Sequence, residues 1–357
     1  MTTRISRSRF ALLTVALLCS GSLWAEVYEM PAPGSDVVGA VVTIKARADD
    51  TLLDIARRHG LGYEDVVRAN PEVDTWLPGE GTDVVLPTRF VLPPVERSGV
   101  VLNLAEYRLY YFPEIKDDLP PVVMTYPISI GRMDWATPLG RTRVVAKVRN
   151  PSWYPPESIR AEHAAMGDPL PRIVPPGPDN PLGDRAMRLG IPGYLIHGTN
   201  RPAGVGMRVT HGCIRMFPED IRFLFDRIPN NTPVRIINEP VKVGWDGDEL
   251  VVEVHRTLES APAEDSVEAA LVEEGVPVEE LVLPPARDPM TELTESFVDA
   301  TAERKGRIDW AEARALLDAP TGVPVTIGYA VVDASVDVSN DAVPASASDR
   351  TTDAASE

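Results

Sequence analysis

Proline and glycine interrupt this chain along most of its length, 35 and 25 of them in 357 residues. Proline removes a backbone donor and breaks helix interiors, and glycine weakens them. Long helices are therefore disfavoured, and short strands joined by turns are expected. The predicted class is mainly β. With 44% hydrophobic and 25% charged residues the chain has ordinary globular composition and is long enough for two or three cores. Its formal net charge of -18 argues against nucleic acid and anionic lipid as partners and is read as solubility.

Residues 1–25 read as a cleaved export signal. Arg4, Arg7 and Arg9 precede a short apolar run, 10–18, and Ala25 offers a small residue for cleavage. The run is shorter than the roughly 20 apolar residues of a membrane span. Leu18 before Cys19 is too bulky for a lipoprotein site, and the arginines are not adjacent as in a twin-arginine signal. No later segment is apolar enough to span. Export leaves Cys213 as the one cysteine. A lone thiol in an oxidising compartment is inert and buried, joined to another chain, or a nucleophile.

Residues 26–38, with Pro31, Pro33 and Gly34, read as a linker. Residues 41–88 have the order strand, helix, helix, strand. Asp50 is the expected cap of a helix over 51–59 that carries Leu52, Ile55 and Ala56 on one face. A second helix covers 63–70, and 83–87 closes the unit. Residues 97–238 alternate as many short strands: 99–104, 107–112, 122–130, 141–148, 194–197 and 234–238. One helix is expected over 218–227, with Ile221, Leu224 and Phe225 inward. This pattern predicts a β-sandwich. Residues 239–333 form a C-terminal α/β extension: a hairpin over 241–254 bent at Asp246-Gly247-Asp248, helical stretches over 260–280 and 289–317, and a strand over 325–332. Residues 334–357 read as a disordered acidic tail.

The stretch that carries chemistry is His197-Gly198-Thr199-Asn200, then a loop, then Thr210-His211-Gly212-Cys213-Ile214-Arg215. A thiol becomes a strong nucleophile when an imidazole takes its proton, and that imidazole can return the proton to a leaving amine. A further group must fix the imidazole tautomer, for which a backbone carbonyl suffices. Successive N–H groups near Gly212 and Cys213 are placed to hold an oxyanion. A structural zinc site would want four ligands, and His59, His163 and His255 complete no such pattern. No metal or cofactor is expected. A papain-like arrangement places cysteine before histidine, the reverse of the order here.

These residues resemble the catalytic domain of the L,D-transpeptidase (YkuD-type) family. Upstream matches are Tyr126-Pro127-Ile128 with Gly131, Thr137-Pro138-Leu139-Gly140 and Asn150-Pro151-Ser152-Trp153. Residues 41–88 resemble a LysM domain, a glycan-binding module, through Asp50-Thr51-Leu52, Asn70, Pro78-Gly79 and Val85-Leu86-Pro87; Asp49 stands where that module has glycine. The whole is most similar to the periplasmic Gram-negative subgroup with this domain order.

The resemblance implies that Cys213 is the nucleophile, His197 the proton acceptor and donor, and the Gly198 carbonyl its orienter. His211, Gly212 and Cys213 line the oxyanion site. His211 either holds substrate or braces the turn, Arg215 either faces a substrate carboxylate or buttresses the loop, and Thr210 bonds backbone locally. The implied reaction is acyl transfer from the meso-diaminopimelate carbonyl of a peptidoglycan tetrapeptide stem, with release of D-alanine. The acceptor is a second diaminopimelate amine, a lysine of an outer-membrane lipoprotein, or water. Carbapenem sensitivity is implied as well. A non-catalytic wall-binding protein is the alternative of a different class.

Overall fold

The computed structural model describes residues 26–115, 119–132, 135–258 and 287–331. The export signal, the helix expected over 260–280 and the acidic tail lie outside the described residues.

The chain opens with β1 (Glu26–Glu29), β2 (Val37–Lys45), α1 (Leu52–Arg58), α2 (Tyr63–Ala69) and β3 (Asp83–Val91). Next come β4 (Gly99–Asn103), β5 (Arg108–Phe112), β6 (Val122–Pro127), β7 (Ile130–Gly131) and β8 (Gly140–Arg149). Helix α3 (Glu157–Ala165) leads to β9 (Arg185–Leu189), β10 (Leu195–His197), β11 (Arg208–Thr210), β12 (Ile214–Arg215), α4 (Pro218–Arg227) and β13 (Pro233–Ile237). The C-terminal part holds β14 (Val241–Asp246), β15 (Glu249–Val254), α5 (Pro289–Ala300), β16 (Gly306–Ile308), α6 (Trp310–Asp318) and β17 (Val325–Ala330).

The fold is mainly β, as expected. Nine strands form one sheet in the order β1-β6-β5-β4-β13-β8-β9-β10-β12. The sheet curls: its last strand returns to the chain just after β6, where Ser129 and Arg215 exchange two backbone hydrogen bonds of 2.8 and 3.1 Å. Strands β7 and β11 pair in parallel beside this seam. A separate four-stranded sheet, β14-β15-β17-β16, carries α5 and α6, and β2 pairs with β3.

Strand alternation explains where the cores lie. Successive side chains point to opposite faces of a sheet. Val100, Leu102, Leu109 and Tyr111 enter the core under α4 with Ile221, Leu224 and Phe225. Their neighbours Val101, Tyr110 and Phe112, with Val123, enter a second core with Leu52, Ile55, Val66 and Leu86. The strand-helix-helix-strand unit is therefore packed on the back of the nine-stranded sheet.

Two local expectations are corrected. The 26–38 stretch, expected as a linker, contributes β1, which pairs antiparallel with β6 from Glu26↔Thr125 to Glu29↔Val122. The cap of α1 is Thr51, whose hydroxyl accepts from the Asp54 amide at 3.1 Å. Asp50 is instead held by Arg58 through two hydrogen bonds of 2.7 Å, a stronger partner than a helix amide. The helical stretches expected within 289–317 are α5 and α6, with an edge strand that starts at Gly306 between them.

Candidate active site

Parallel pairing of β10 with β12 brings the two motif halves together. Ile196 faces Ile214 and His197 faces Arg215 in register. Ile196 and Ile214 turn into the core. By alternation His197, Arg215 and Cys213, which immediately precedes β12, share the opposite face. The Met216 amide donates to the His197 carbonyl at 2.9 Å and extends the register past the strand ends.

His197 is buried, and its Nδ1 lies 2.6 Å from the Gly198 carbonyl. A carbonyl can only accept, so Nδ1 carries the proton and Nε2 keeps a lone pair. Burial, then the positive charge of Arg215, depress the imidazole to about 4 against the opposing pull of that carbonyl. Cys213 is half-buried. Burial pushes its thiol up to about 11, opposed by a backbone hydrogen bond at Leu195 and by Arg215. The thiol also lies 3.5 Å from the Gly193 carbonyl. The resting pair is thus a neutral thiol and a neutral imidazole. Desolvation of the thiol exceeds every local attraction that would lower it.

The turn before Cys213 is tightly specified. Gly212 has φ +93°, and a Cβ there would lie 2.9 Å from the Tyr194 ring. The Thr210 hydroxyl donates to the Cys213 carbonyl at 2.6 Å, the local backbone bond expected of it. The Thr137 hydroxyl donates to the Gly212 carbonyl at 2.8 Å and accepts from the Gly131 amide at 3.1 Å. The Gly212 and Cys213 carbonyls are thereby fixed, and with them the peptide planes that carry the Cys213 and Ile214 N–H groups.

His211 meets partners that its sequence neighbourhood does not announce. Its Nε2 is 2.9 Å from Glu162 Oε2 on α3, and its ring stands edge-on to Trp135 at 5.2 Å. Arg132 pairs with the other oxygen of Glu162 at 2.9 Å. Among the described residues Arg215 keeps a buried Nε without a hydrogen-bond partner, and Gly204 leaves room for its guanidinium.

The loop between His197 and Cys213 rests on the N-terminal unit. The Val205 carbonyl accepts from the Tyr63 amide at 3.1 Å and that of Gly206 from the Glu64 amide at 3.4 Å, so free amides at the start of α2 find partners in the loop. Gly62 and Gly206 meet backbone to backbone; a Cβ on Gly206 would lie 2.4 Å from the Gly62 Cα. Arg57 of α1 adds a bidentate pair to Glu219 of α4, at 2.8 and 3.0 Å.

Among the described residues, Glu106, Glu253 and His255 bring metal-donor atoms within 4.8 Å of one another. The cation there is already supplied: the Lys242 ammonium lies 2.5 Å from Glu106 and 2.9 Å from Glu253.

Residues 97–236 match the model of YkuD, the L,D-transpeptidase catalytic domain. Over 244 residues the chain is 41% identical to the probable L,D-transpeptidase YbiS of Escherichia coli, covering 67% of this chain and 78% of that one. It is 36% identical over 324 residues to the probable L,D-transpeptidase ErfK/SrfK of the same organism, covering 88% and 96%. The chain belongs to the YkuD-type L,D-transpeptidase family. The catalytic domain of an E. faecium L,D-transpeptidase, solved by NMR, aligns with a TM-score of 0.30 and 22% identity over 41% of this chain and all of that one.

In this L,D-transpeptidase the matched catalytic domain spans β4 to β13 and contains His197, Gly198, Thr210, His211, Gly212, Cys213 and Arg215. Arg132, Thr137 and Glu162 join them in space. Thr137 lies within a stretch that already resembled the family; Glu162 carries no sequence signal, because its partners are distant in the chain.

Proposed function

We propose that this enzyme is a peptidoglycan L,D-transpeptidase acting through Cys213 and His197. What supports the reading is the parallel pairing of β10 with β12, which puts Cys213 and His197 on one face, together with the Gly198 carbonyl, which leaves the lone pair on His197 Nε2. Cys213 Sγ attacks the meso-diaminopimelate carbonyl of a tetrapeptide stem. As the S–C bond forms, the thiol swings from Gly193 and its proton passes to His197 Nε2. Neutral partners suit this order, since a proton acceptor is needed during attack rather than before it. The Gly212 and Cys213 amides hold the oxyanion, and Arg215 adds positive charge beside the sulfur. The C–N bond to D-alanine breaks, and His197 returns the proton to the leaving amine.

The thioester is then resolved by an amine: its nitrogen attacks the carbonyl, His197 accepts its proton, the C–S bond breaks, and the proton returns to Cys213 Sγ. A diaminopimelate side chain as acceptor gives a 3-3 cross-link, and a lysine of an outer-membrane lipoprotein gives a wall anchor. Water in that place makes the enzyme an L,D-carboxypeptidase. Residues 1–25 direct export to the periplasm, and residues 41–88 act as a LysM-like module for glycan strands. Trp76 and Leu77, 66% and 72% exposed between α2 and β3, offer sugar rings an apolar platform.

The test is incubation of the protein with tetrapeptide muropeptides, with and without a lysine-ended lipoprotein peptide, read by mass spectrometry. D-alanine release that Cys213→Ala abolishes is expected. Absence of release from every peptide, or release unchanged in Cys213→Ala, overturns the reading.

A further inference from the structure

We infer that Arg132 and His211 form a receptor for a carboxylate of the donor stem, filled in the resting enzyme by the chain's own Glu162. The inference rests on the activity proposed above and adds a binding subsite to it.

The geometry is that of a bound carboxylate. Glu162 presents one oxygen to the Arg132 guanidinium and the other to His211 Nε2, each at 2.9 Å. A carboxylate can only accept, so Nε2 carries hydrogen, and the two donors divide the two oxygens between them. The receptor is built into the framework. The Arg132 amide donates to the Thr210 carbonyl at 2.9 Å, next to the β7-β11 pairing, and Trp135 packs edge-on against the His211 ring. Burial works against the Glu162 carboxylate, yet His211 and Arg132 hold it below its ordinary pKa, which shows that the pair attracts a negative charge.

The occupant is built differently from the receptor. Glu162 rides on α3, within an excursion between β8 and β9 that carries Tyr154, Met166 and Ile173 exposed to solvent. Of the residues of α3 only Ile159 is buried, so few contacts hold the helix down. Receptor residue His211 is two positions from Cys213, within the length of a stem peptide bound at the sulfur. The two residues that flank the bond to be broken each carry a carboxylate, that of the terminal D-alanine and that on the diaminopimelate side chain. Either would replace Glu162 oxygen for oxygen, and α3 would be released as the donor enters.

The full chain, with wild-type, Arg132→Ala and Glu162→Gln forms, is assayed for release of the C-terminal residue (D-alanine, or D-alaninamide from the carboxamide) on three tetrapeptides: the free acid, the C-terminal carboxamide, and the peptide amidated on the diaminopimelate side chain. Losing a charge-assisted pair should raise KM for the free acid about tenfold or more in Arg132→Ala. That penalty should vanish for one of the two amides, which identifies the carboxylate bound. Glu162→Gln should lower KM for the free acid several-fold by weakening the internal competitor. An equal Arg132→Ala penalty on all three peptides, as a merely structural role would give, overturns the subsite, and so does an unchanged or raised KM in Glu162→Gln. Failure of the wild-type chain to release the C-terminal residue from any of them overturns the activity itself.

Discussion

At Cys213 the local environment works against ionisation, and this has a measurable signature. With the thiol near 11 and the imidazole near 4, no thiolate-imidazolium pair forms at neutral pH. Iodoacetamide alkylation of the free enzyme should accelerate steadily through pH 9, without the acidic plateau that an ion pair gives; a plateau beginning below pH 6 would contradict this resting state. His197 should also mark stability. Its folded pKa lies below the unfolded value of 6.5, so between pH 6.5 and 4 the unfolded chain binds more protons and stability falls with falling pH. Holding the imidazole down at about 4 corresponds to about 3 kcal/mol. His197→Gln should remove about that much of the acid sensitivity seen in urea unfolding between pH 7 and pH 4; identical profiles would refute it. The motif pair was legible because its members stand close together in the chain, each beside a glycine. Glu162 and Arg132 were not, because an isolated charge on a surface helix or turn looks the same whether it is solvated or bridged.

Among elements, the contact of α2 with the loop 201–208 joins the small unit to the candidate active site. Gly206 has φ +84° and no space for a side chain. Gly206→Ala should cost about 1–3 kcal/mol of stability through backbone strain. It should also slow D-alanine release, because the loop can no longer dock on α2. Urea unfolding and steady-state kinetics on one preparation check both, and an unaltered kcat would show that the docking does not serve the site. Hydrophobic spacing located α1, α2 and α4 in the sequence. The backbone approach of Gly62 to Gly206 had no such signal, since two glycines distant in the chain announce flexibility, not contact.

For the molecule as a whole, the buried network of Lys242, Glu106, Glu253, Tyr110 and His255 ties the parts together. Lys242 is 0% exposed on β14, Glu106 precedes β5, and Glu253 accepts from the Val91 amide of β3 at 2.7 Å. The Lys242 ammonium also donates to the Val91 carbonyl at 2.7 Å. Burial raises the Glu106 carboxyl despite the opposing charge of Lys242, while Lys242 and His255 overcome burial to hold Glu253 down at about 2. Lys242→Met leaves two buried carboxylates facing each other and should lose about 3–5 kcal/mol. Adding Glu106→Gln and Glu253→Gln should restore much of it, measured by thermal and urea unfolding; equal stability of Lys242→Met and wild type would contradict the network. The class, the order of segments and most strands were readable from pattern. The joining of the segments was not, because it depends on charges buried together from three parts of the chain.

Val101, Tyr110, Phe112 and Val123 belong to the matched catalytic domain yet bury their side chains in the core of the small unit. A chimaera that exchanged only 41–88 for a foreign sugar-binding cassette would leave these side chains facing a mismatched surface or water. Such a graft should aggregate unless the reverse side of the recipient enzyme is redesigned with it, so the practical unit of exchange here is the cassette plus the wall it leans on.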